Sequence, residues 1–332
     1  MTVIKNDSFS GTLQKDVENY LADRVSSILF FTVNRILLQR FIQGRFFLTM
    51  MKCRELLVCA ALFMLLGSSC QTHHSKSTDD NNLLLGNPSN ATSDTLNADN
   101  YLIDHHYYVE SYSRARGEPN WVSWHISARD LGVVERSDDF RPDSIVLPGG
   151  WFVADNTSYR GSGFDRGHNC PSGDRTSSTD ANSATFLMDN MIPQAPNNNR
   201  HTWEHLEVYC REQVKKGNEA FIIMGSYGEG GVGKLGFRSR IAKGHIEVPA
   251  HIWKIIVLIP EGDDDLDRIA ANAEVIAVDT PNINAVSSYW KDYVCTVRDI
   301  EQATGYAFFR NLPEDIKNRL EDEKFNADDD RQ

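Results

Sequence analysis

Gly163-Phe164-Asp165-Arg166-Gly167-His168-Asn169-Cys170 is the stretch on which the fold and the chemistry of this chain depend. It places His168 next to Arg166 and Asp165, on a chain that is bent by glycines. Histidine can accept a proton near neutral pH, and the guanidinium fork of arginine matches a phosphate group. The stretch therefore predicts a general base beside a phosphate contact.

A second block lies further along the chain and supplies oxygen ligands of the kind that a hard cation such as Mg²⁺ prefers. It consists of Asn190-Met191-Ile192-Pro193-Gln194, followed by Asn199, Trp203, Leu206 and Glu207. A base, a phosphate contact and a hard cation together indicate phosphodiester hydrolysis.

The two blocks resemble the signature of the DNA/RNA non-specific endonuclease family, the ββα-metal nucleases that include mitochondrial endonuclease G. That signature is Asp-Arg-Gly-His, then Asn-x-x-Pro-Gln, then Asn and Trp-x-x-Leu-Glu on a helix, and it matches in order and spacing. The resemblance runs from about Tyr101 to Leu312 and includes the stretch from Val248 to Lys254. It implies a ββα-metal active-site motif.

The resemblance also implies roles for individual side chains. These are His168 as the general base, Arg166 as a phosphate contact, Asn199 as the direct ligand of Mg²⁺ (with Mn²⁺ or Ca²⁺ as alternatives), and Asp165, Asn190 and Gln194 as structural support. A nuclease of this type reads the phosphate and not the base, so both DNA and RNA are expected substrates.

The helix that follows the second block is expected to carry one functional face. At 100° per residue, Asn199, Trp203, Leu206, Glu207 and Cys210 share a face of an ideal α-helix. Asn199 and Glu207 are nevertheless about 12 Å apart along the axis, so both cannot ligate one ion directly. Glu207 is therefore expected to assist catalysis through a metal-bound water or as an outer partner. Trp203 and Leu206 are expected to pack in the core.

Two other motifs indicate different chemistry. His201-Thr202-Trp203-Glu204-His205 fits a zinc-protease pattern, but its histidines fall opposite Asn199 and are interpreted as surface residues. Gly228 to Lys234 mimics a phosphate-binding loop, although Leu235 stands where Ser or Thr is needed. We interpret it as a glycine-rich hairpin near the active cleft, from which Lys234, Arg238 and Arg240 could meet substrate.

The overall charge bears on how such a protein meets nucleic acid. The 332 residues include 34 Lys and Arg and 46 Asp and Glu, for a net charge of −12. Residues 1–69 hold 8 basic and 5 acidic residues, which leaves 26 basic against 41 acidic residues in the remainder. This argues against tight non-catalytic binding of nucleic acid. A nuclease with this charge has to concentrate its basic groups locally.

The first hundred residues divide into three segments. Residues 1–50 are interpreted as an upstream extension, with translation starting at Met50 or Met51. Residues 51–70 resemble a bacterial lipoprotein signal with Cys70 as the acylated residue, although an ordinary secretory signal or an anchor is the alternative. Residues 71–100 are polar and predict a flexible tether. The expected location is the bacterial cell envelope, lipid-anchored in the periplasm or at the cell surface, or else secretion.

The remainder predicts one nuclease domain over residues 101–312 and an acidic, frayed tail over residues 313–332. Strands and helices mix without regular βαβ alternation, so the fold class is α+β with a mixed or antiparallel sheet core. Strands are predicted at residues 107–113, 121–127, 220–224, 252–259 and 275–278, and helices at residues 199–216 and within 284–304. Residues 266–272 are expected to form either a short helix or part of a loop.

The cysteines and the rival functions leave alternatives open. With Cys70 acylated, Cys170, Cys210 and Cys295 allow at most one internal disulfide, and a Cys170–Cys210 bridge is favoured. A phosphodiesterase acting on small nucleotides and a catalytically inactive, surface-anchored binding protein remain rivals to the endonuclease. The oligomeric state is left open.

Overall fold

The computed structural model describes residues 81–143 and 147–326. The predictions for residues 1–50, for the signal at residues 51–70 with Cys70, and for residues 71–80 lie outside the described residues. Within the described ranges, no helix combines the length and the apolar character that a membrane crossing needs.

An antiparallel sheet forms the frame of this part of the chain. The described residues contain thirteen strands: β1 (Tyr101–Asp104), β2 (Val109–Ser113), β3 (Glu118–Ile126), β4 (Asp165–His168), β5 (Met191–Gln194), β6 (Asn218–Glu229), β7 (Gly231–Gly233), β8 (Gly236–Arg238), β9 (Arg240–Ile241), β10 (Ile246–Glu247), β11 (Pro249–Pro260), β12 (Glu274–Pro281) and β13 (Val294–Cys295). Seven of these join in the order β1-β2-β3-β6-β11-β12-β13, and each neighbouring pair is antiparallel. Three separate hairpin-like pairs are β4 with β5, β7 with β8, and β9 with β10.

Helices cover the sheet and connect its strands. The described residues form α1 (Thr179–Ala184), α2 (Glu204–Lys215), α3 (Asp265–Asn272), α4 (Val297–Thr304), α5 (Glu314–Asp322), a π-helical turn at Asn198–Trp203, and short 3₁₀ turns at Ala128–Asp130, Ser172–Asp174, Met188–Asn190, Ala242–Gly244 and Trp290–Tyr293. The α+β class with an antiparallel core is confirmed.

The central strands are buried on both faces because their apolar residues alternate between two clusters. Along β11, Ile255, Val257 and Ile259 belong to one cluster, whereas Ile256 and Leu258 belong to the other. Successive side chains of a strand point to opposite faces, so a continuous apolar run requires a layer on each side of the sheet. Residues of α2 and β5 lie in the second cluster, which places the active-site elements on that face.

The segment before β1 differs from the predicted tether. Leu84, Leu85 and Ala91 are buried in the first cluster, and the Trp121 indole Nε1 donates to Ser89 Oγ (2.8 Å). The polar composition of residues 71–100 obscured the leucine run at residues 83–85, whose burial over the sheet offsets the entropy of ordering the segment. The packed domain therefore includes residues 81–100.

The predicted frayed tail is also ordered as far as Asn326. It contains α5, and Leu320 is fully buried in the first cluster. Arg298 of α4 lies 3.2 Å from the buried carboxylate of Glu321, so part of the acidic charge is neutralised. A single well-placed leucine and a cation from a neighbouring helix outweigh the unfavourable composition.

The predicted Cys170–Cys210 disulfide is wrong. Both side chains are free, buried thiols that pack in the second cluster. Burial among apolar side chains raises the pKa of each thiol to about 12, which keeps both protonated at neutral pH. The two thiols contribute to core packing between the His168 segment and the helix without a covalent bridge.

The packing of residues 81–100 can be tested with two leucines of that segment. Leu85 is 3% exposed and Leu96 is 91% exposed. Leu85→Ala should lower the free energy of unfolding by about 2–5 kcal/mol, because it removes a buried side chain and leaves a cavity. Leu96→Ala should change it by less than about 0.5 kcal/mol. Equal effects of the two substitutions in urea denaturation would show that the segment is not packed.

Candidate active site

The first motif lies on β4, which is paired with the second motif on β5. Asp165 faces Gln194 and His168 faces Met191 in the antiparallel register. The structure thus brings the two sequence blocks together as neighbouring strands.

The end of this hairpin is held by the buried side chain of Asn190. Its Oδ1 accepts from the backbone nitrogen of Cys170 (3.0 Å), and its Nδ2 donates to the carbonyl oxygens of Cys170 (2.9 Å) and Thr185 (2.8 Å). These backbone groups are buried away from water, so an apolar residue at position 190 would leave them unsatisfied. The predicted structural role of Asn190 has a clear physical basis.

Gly167 lies directly against the side chain of Gln194 on the paired strand. A Cβ atom placed on Gly167 would lie 2.4 Å from Gln194 Oε1 and 2.6 Å from Gln194 Cβ. Such contacts are too short for any real side chain, so the motif needs glycine where Gln194 crosses the strand. This contact keeps the backbone on either side of Gly167, including His168, in place.

The helix of the second block begins with a π turn, which the ideal α-helical geometry did not predict. In the turn, the buried Asn198 donates through Nδ2 to Thr280 Oγ1 (2.9 Å), while the next residue, Asn199, is half-buried. A π turn inserts an extra residue per turn and is common at functional sites. Here it directs two successive asparagines to different surroundings, Asn198 to the sheet and Asn199 to β4.

Asp165 joins the hairpin to this turn. Its Oδ2 accepts from Asn199 Nδ2 (3.0 Å) and from Arg200 Nε (2.7 Å), and its Oδ1 accepts from Arg200 Nη2 (2.7 Å). The paired fork of Arg200 gives a charge-assisted contact with defined geometry. Asp165 therefore holds Asn199 beside β4. Its supporting role in the active site stays a prediction.

His168 lies in an aromatic environment. Its side chain is buried, its ring is 5.0 Å from the Phe186 ring in an edge contact and 5.5 Å from the Phe140 ring, and its Nε2 has no hydrogen-bond partner among the described residues. Burial, with added repulsion from Arg136 and Arg166, lowers the pKa of His168 to about 3. The imidazole is therefore neutral at pH 7 and able to accept a proton.

A polar cavity of about 540 Å³ opens in front of this histidine. Arg166 lies in its wall, with the guanidinium 3.7 Å from the centre of the Phe140 ring. The lining residues are Arg136, Asp138, Phe140, Asn156, Tyr159, Arg160, Phe164, Asp165, Arg166 and Asn199. His168 lies behind this wall, since its ring contacts Phe140.

A second cavity, of about 550 Å³, shares Arg160 with the first. Its lining includes Arg238, Arg240 and Lys243. Arg238 therefore lines a cavity that adjoins the Arg166 cavity at Arg160, and its contact with substrate stays a prediction. The Lys234 side chain is exposed, while its backbone nitrogen donates to the Gly163 carbonyl (2.9 Å) just before β4.

Glu207 lies in a buried ion pair on the sheet side of α2. Its Oε1 is 3.5 Å from Lys254 Nζ, and that ammonium group lies over the rings of Trp203 (5.3 Å) and Trp124 (5.5 Å). Burial raises the pKa of Glu207, with Lys254 opposing the shift. The contacts of Glu207 in the structure are thus with the core. Its predicted role in catalysis stays a prediction.

The histidines of the zinc-protease pattern lie at the surface, and the stretch that mimics a phosphate-binding loop forms a hairpin, as expected from the sequence. His201 and His205 are exposed, and His205 Nδ1 lies 3.0 Å from the Ser288 carbonyl oxygen. The glycine-rich stretch forms the end of β6 and the β7–β8 hairpin. Among the described residues, the one group of three metal-type ligands combines His105, Glu110 and Asp189, away from the zinc-protease pattern.

Several cavity residues were missed by reasoning from the sequence. Arg136 and Arg160 both line the cavity, and Arg136 also contacts Ser172 through Nη1 (2.8 Å) and lies 4.7 Å from the Phe186 ring centre. They stand in irregular segments that carry no motif. Only the folding of residues 131–143 and 155–162 against β4 reveals them.

The site combines a neutral, buried histidine on a ββ hairpin with an asparagine at the start of the following helix and an arginine-lined cavity. This combination is suited to phosphodiester hydrolysis. The family model of the DNA/RNA non-specific endonucleases matches residues 85–315. The chain belongs to that family and is a nuclease of the DNA/RNA non-specific type.

Individual relatives agree with this assignment. A nuclease of Nostoc sp. is 45% identical over 239 residues, which cover 72% of this chain and 84% of the relative. The mitochondrial nuclease EXOG of Danio rerio is 33% identical over 212 residues, covering 62% of this chain and 60% of that protein. A chain in the crystal structure of the EndoG/EndoGI complex superposes with a TM-score of 0.57 at 26% identity, covering 70% of this chain and 91% of that chain.

The environment of His168 predicts how it titrates. Because its pKa is lowered to about 3, the side-chain NMR signals of His168 should stay constant between about pH 5 and pH 8. His251 is the internal control, since its hydrogen bond to Asp279 raises its pKa above the ordinary value of 6.5. A His168 signal that moves with a midpoint near pH 6.5 would contradict the buried, neutral assignment.

Proposed function

We propose that the protein is a cation-dependent, sugar-non-specific endonuclease that hydrolyses phosphodiester bonds of DNA and RNA, with His168 as the general base. The observation that carries the proposal is the buried imidazole of His168 packed against Phe140, behind an arginine-lined cavity whose wall also includes Asn199. A general base has to be unprotonated at the working pH and close to the attacked group.

The donor set at Asn199 fits a hydrated hard cation. Its Nδ2 is bound to Asp165, so the amide oxygen faces away from that carboxylate, and the residue lines the polar cavity. Mg²⁺ often takes one or two protein oxygens and keeps several waters, which such a cavity can hold, and Mn²⁺ or Ca²⁺ accept similar ligands. A cation bound there would supply electrostatic stabilisation of the negative charge that develops on the phosphate.

His168 and the arginines supply the protein's own part of the reaction. His168 takes a proton from the attacking water through a ring nitrogen while the water oxygen bonds to phosphorus. The bond from phosphorus to the 3′ oxygen breaks, and the leaving oxygen takes up a proton from solvent. Arg166 pairs with a phosphate oxygen, while its stacking on Phe140 holds the guanidinium at the wall of the cavity. These contacts address the phosphate, which supports little sequence specificity.

The basic surface favours a polymeric substrate over a small nucleotide. Arg160 belongs to both cavities, so arginine side chains continue from Arg166 to Arg238 across the surface. A nucleic-acid strand can follow this surface, whereas a small nucleotide needs only the first cavity. The local clustering of arginines also offsets the net charge of −12. The inactive binding protein is disfavoured because His168, Arg166 and Asn199 are all present.

For the location of the protein we propose lipid attachment at Cys70 in the bacterial cell envelope, with the periplasm, the cell surface and secretion as the alternatives. The support is the sequence alone: a short apolar run followed by small residues and Cys70. Cys70→Ala should move the nuclease activity from the membrane fraction to the soluble fraction. Retention of the variant in the membrane fraction would place the anchor elsewhere.

His168→Ala should reduce the cleavage rate of plasmid DNA and of RNA by about 10²–10⁴-fold, because a positioned general base contributes that much. Substrate affinity and the circular dichroism spectrum should stay near those of the unmodified protein. Added imidazole should restore part of the activity. His205→Ala is the control, because His205 is exposed on α2. This variant should cleave at the parent rate. Cleavage by His168→Ala at the parent rate would remove the proposed mechanism.

Asn199→Ala should raise the Mg²⁺ concentration needed for half-maximal cleavage by about tenfold or more, because a direct ligand is lost. Asn199→Asp keeps an oxygen at the same place and should recover much of that loss. The measurement is a Mg²⁺ titration at saturating substrate. An unchanged Mg²⁺ requirement in Asn199→Ala would place the cation elsewhere, while leaving the His168 assignment intact.

A further inference from the structure

A buried group of acidic side chains around His105 is not used in the proposed mechanism. His105 lies in the turn between β1 and β2, Glu110 lies on β2, and Asp189 lies in the 3₁₀ turn directly before β5. One nitrogen of His105 and one oxygen of each carboxylate lie within 4.8 Å of one another. Asp143 lies near the other ring nitrogen, Nδ1.

The polar atoms of this group lack ordinary partners. Glu110 and Asp189 are more than nine-tenths buried, and both carboxylate oxygens of each, together with His105 Nε2, have no hydrogen-bond partner among the described residues. Leaving buried carboxylates unpaired is costly, so a buried group of this kind requires a ligand or protons to compensate. Apart from the long contacts between His105 and the two carboxylates, these convergent atoms have no partner among the described residues to compensate their burial.

The distances are longer than those of direct hydrogen bonds and leave room for a cation between the groups. His105 Nε2 is 3.4 Å from Asp189 Oδ2 and 3.6 Å from Glu110 Oε1. Direct charge-assisted hydrogen bonds between nitrogen and carboxylate are about 2.7–2.9 Å long. Two ligands that flank a tetrahedral ion with bonds of about 2.1 Å are about 3.4 Å apart, as simple geometry requires. The spacing suits an ion between the ligands.

From this geometry we infer that His105, Glu110 and Asp189 form a second, structural cation site, separate from Asn199, that binds Zn²⁺ or a similar divalent transition metal. The imidazole nitrogen selects this class of ion, because Mg²⁺ and Ca²⁺ prefer oxygen-only ligand sets. A second oxygen of Glu110 or Asp189, or a water, completes the coordination.

Asp143 gives the site its orienting partner. Its Oδ2 lies 3.7 Å from His105 Nδ1, on the opposite side of the ring from Glu110 and Asp189. At 3.7 Å there is no direct hydrogen bond, but the negative charge of Asp143 favours the proton on Nδ1 and leaves the lone pair of Nε2 for a metal.

The electrostatics agree with a cation at this place. Burial and the neighbouring charge of Asp189 raise the pKa of Glu110 to about 8. Burial alone would lower the pKa of His105. The charges of Asp189 and Glu110 outweigh this effect and raise the pKa of His105 to about 11. The negative potential that holds protons on these groups also attracts a divalent cation, which then competes with the protons.

The site would stabilise the active-site hairpin without taking part in catalysis. Asp189 precedes Asn190, whose amide holds the end of the β4–β5 hairpin. A cation shared by Asp189, Glu110 and His105 would fasten this turn to the edge of the large sheet. Its loss is therefore expected to lower stability first.

Metal analysis of the purified protein tests the site. After incubation with Zn²⁺ and gel filtration, the protein should retain about one equivalent, and EDTA should lower its unfolding temperature by about 5–10 °C. Co²⁺ in place of Zn²⁺ should give the visible absorption of a four-coordinate ion. If the unmodified protein retains no Zn²⁺ and EDTA does not change its unfolding temperature, the inference is overturned. The cluster is then protonated and metal-free.

Matched variants separate this site from the catalytic one. Glu110→Gln and Asp189→Asn should each reduce retained Zn²⁺ about tenfold or more and abolish the EDTA effect. Glu118→Gln is the control, because Glu118 is equally buried on the adjacent strand but is paired with Arg116. Glu118→Gln and Asn199→Ala should retain Zn²⁺. Loss of Zn²⁺ in Asn199→Ala, with retention in Asp189→Asn, would assign the ion to the catalytic site and contradict the proposal.

Discussion

The hydrogen bonds of the Asn190 side chain are the constraint on which the active site depends. This amide is fully buried, and it satisfies backbone groups of Cys170 and Thr185 that have been removed from water. Because β4 ends at His168, two residues before Cys170, the same bonds set where the imidazole can lie. Gly167 adds a steric condition, since Gln194 occupies the space of a side chain there. The position of His168 is thus set by backbone hydrogen bonds and by this steric contact.

The large sheet connects this hairpin to Asn199, the proposed ligand of the catalytic cation. One face of β6, β11 and β12 receives Trp203, Leu206 and Cys210 from the helix, so the start of that helix is placed next to β4. The π turn then directs Asn199 to Asp165 and Asn198 to Thr280. The opposite face packs the segment before β1 and the C-terminal helices. His168 packs against Phe140 and Phe186, which lowers its pKa, and the arginine-lined cavity lies on the other side of Phe140.

The motifs predicted more of the site than of its surroundings. Asp165, Arg166, His168, Asn190, Gln194 and Asn199 come together as the two sequence blocks indicated, and the long apolar runs predicted the central strands, because both signals are local. The arginines at positions 136 and 160 stand in irregular segments, where only tertiary contacts bring them to the cavity. The π turn departs from a regular period, so ideal helical geometry could not predict it. The tether prediction failed over residues 81–100, since composition does not reveal a short leucine run that covers a sheet.

The central claim is that His168 acts as a base on water and not as a nucleophile, and the stereochemistry at phosphorus tests it most directly. A single in-line attack by water inverts the configuration, whereas a covalent enzyme intermediate requires two displacements and retains it. The measurement is cleavage of an oligonucleotide with one phosphorothioate of known chirality, in ¹⁸O-labelled water. General-base catalysis by His168 predicts inversion at the cleaved phosphorus. Net retention would show that the protein attacks phosphorus itself, and would contradict it.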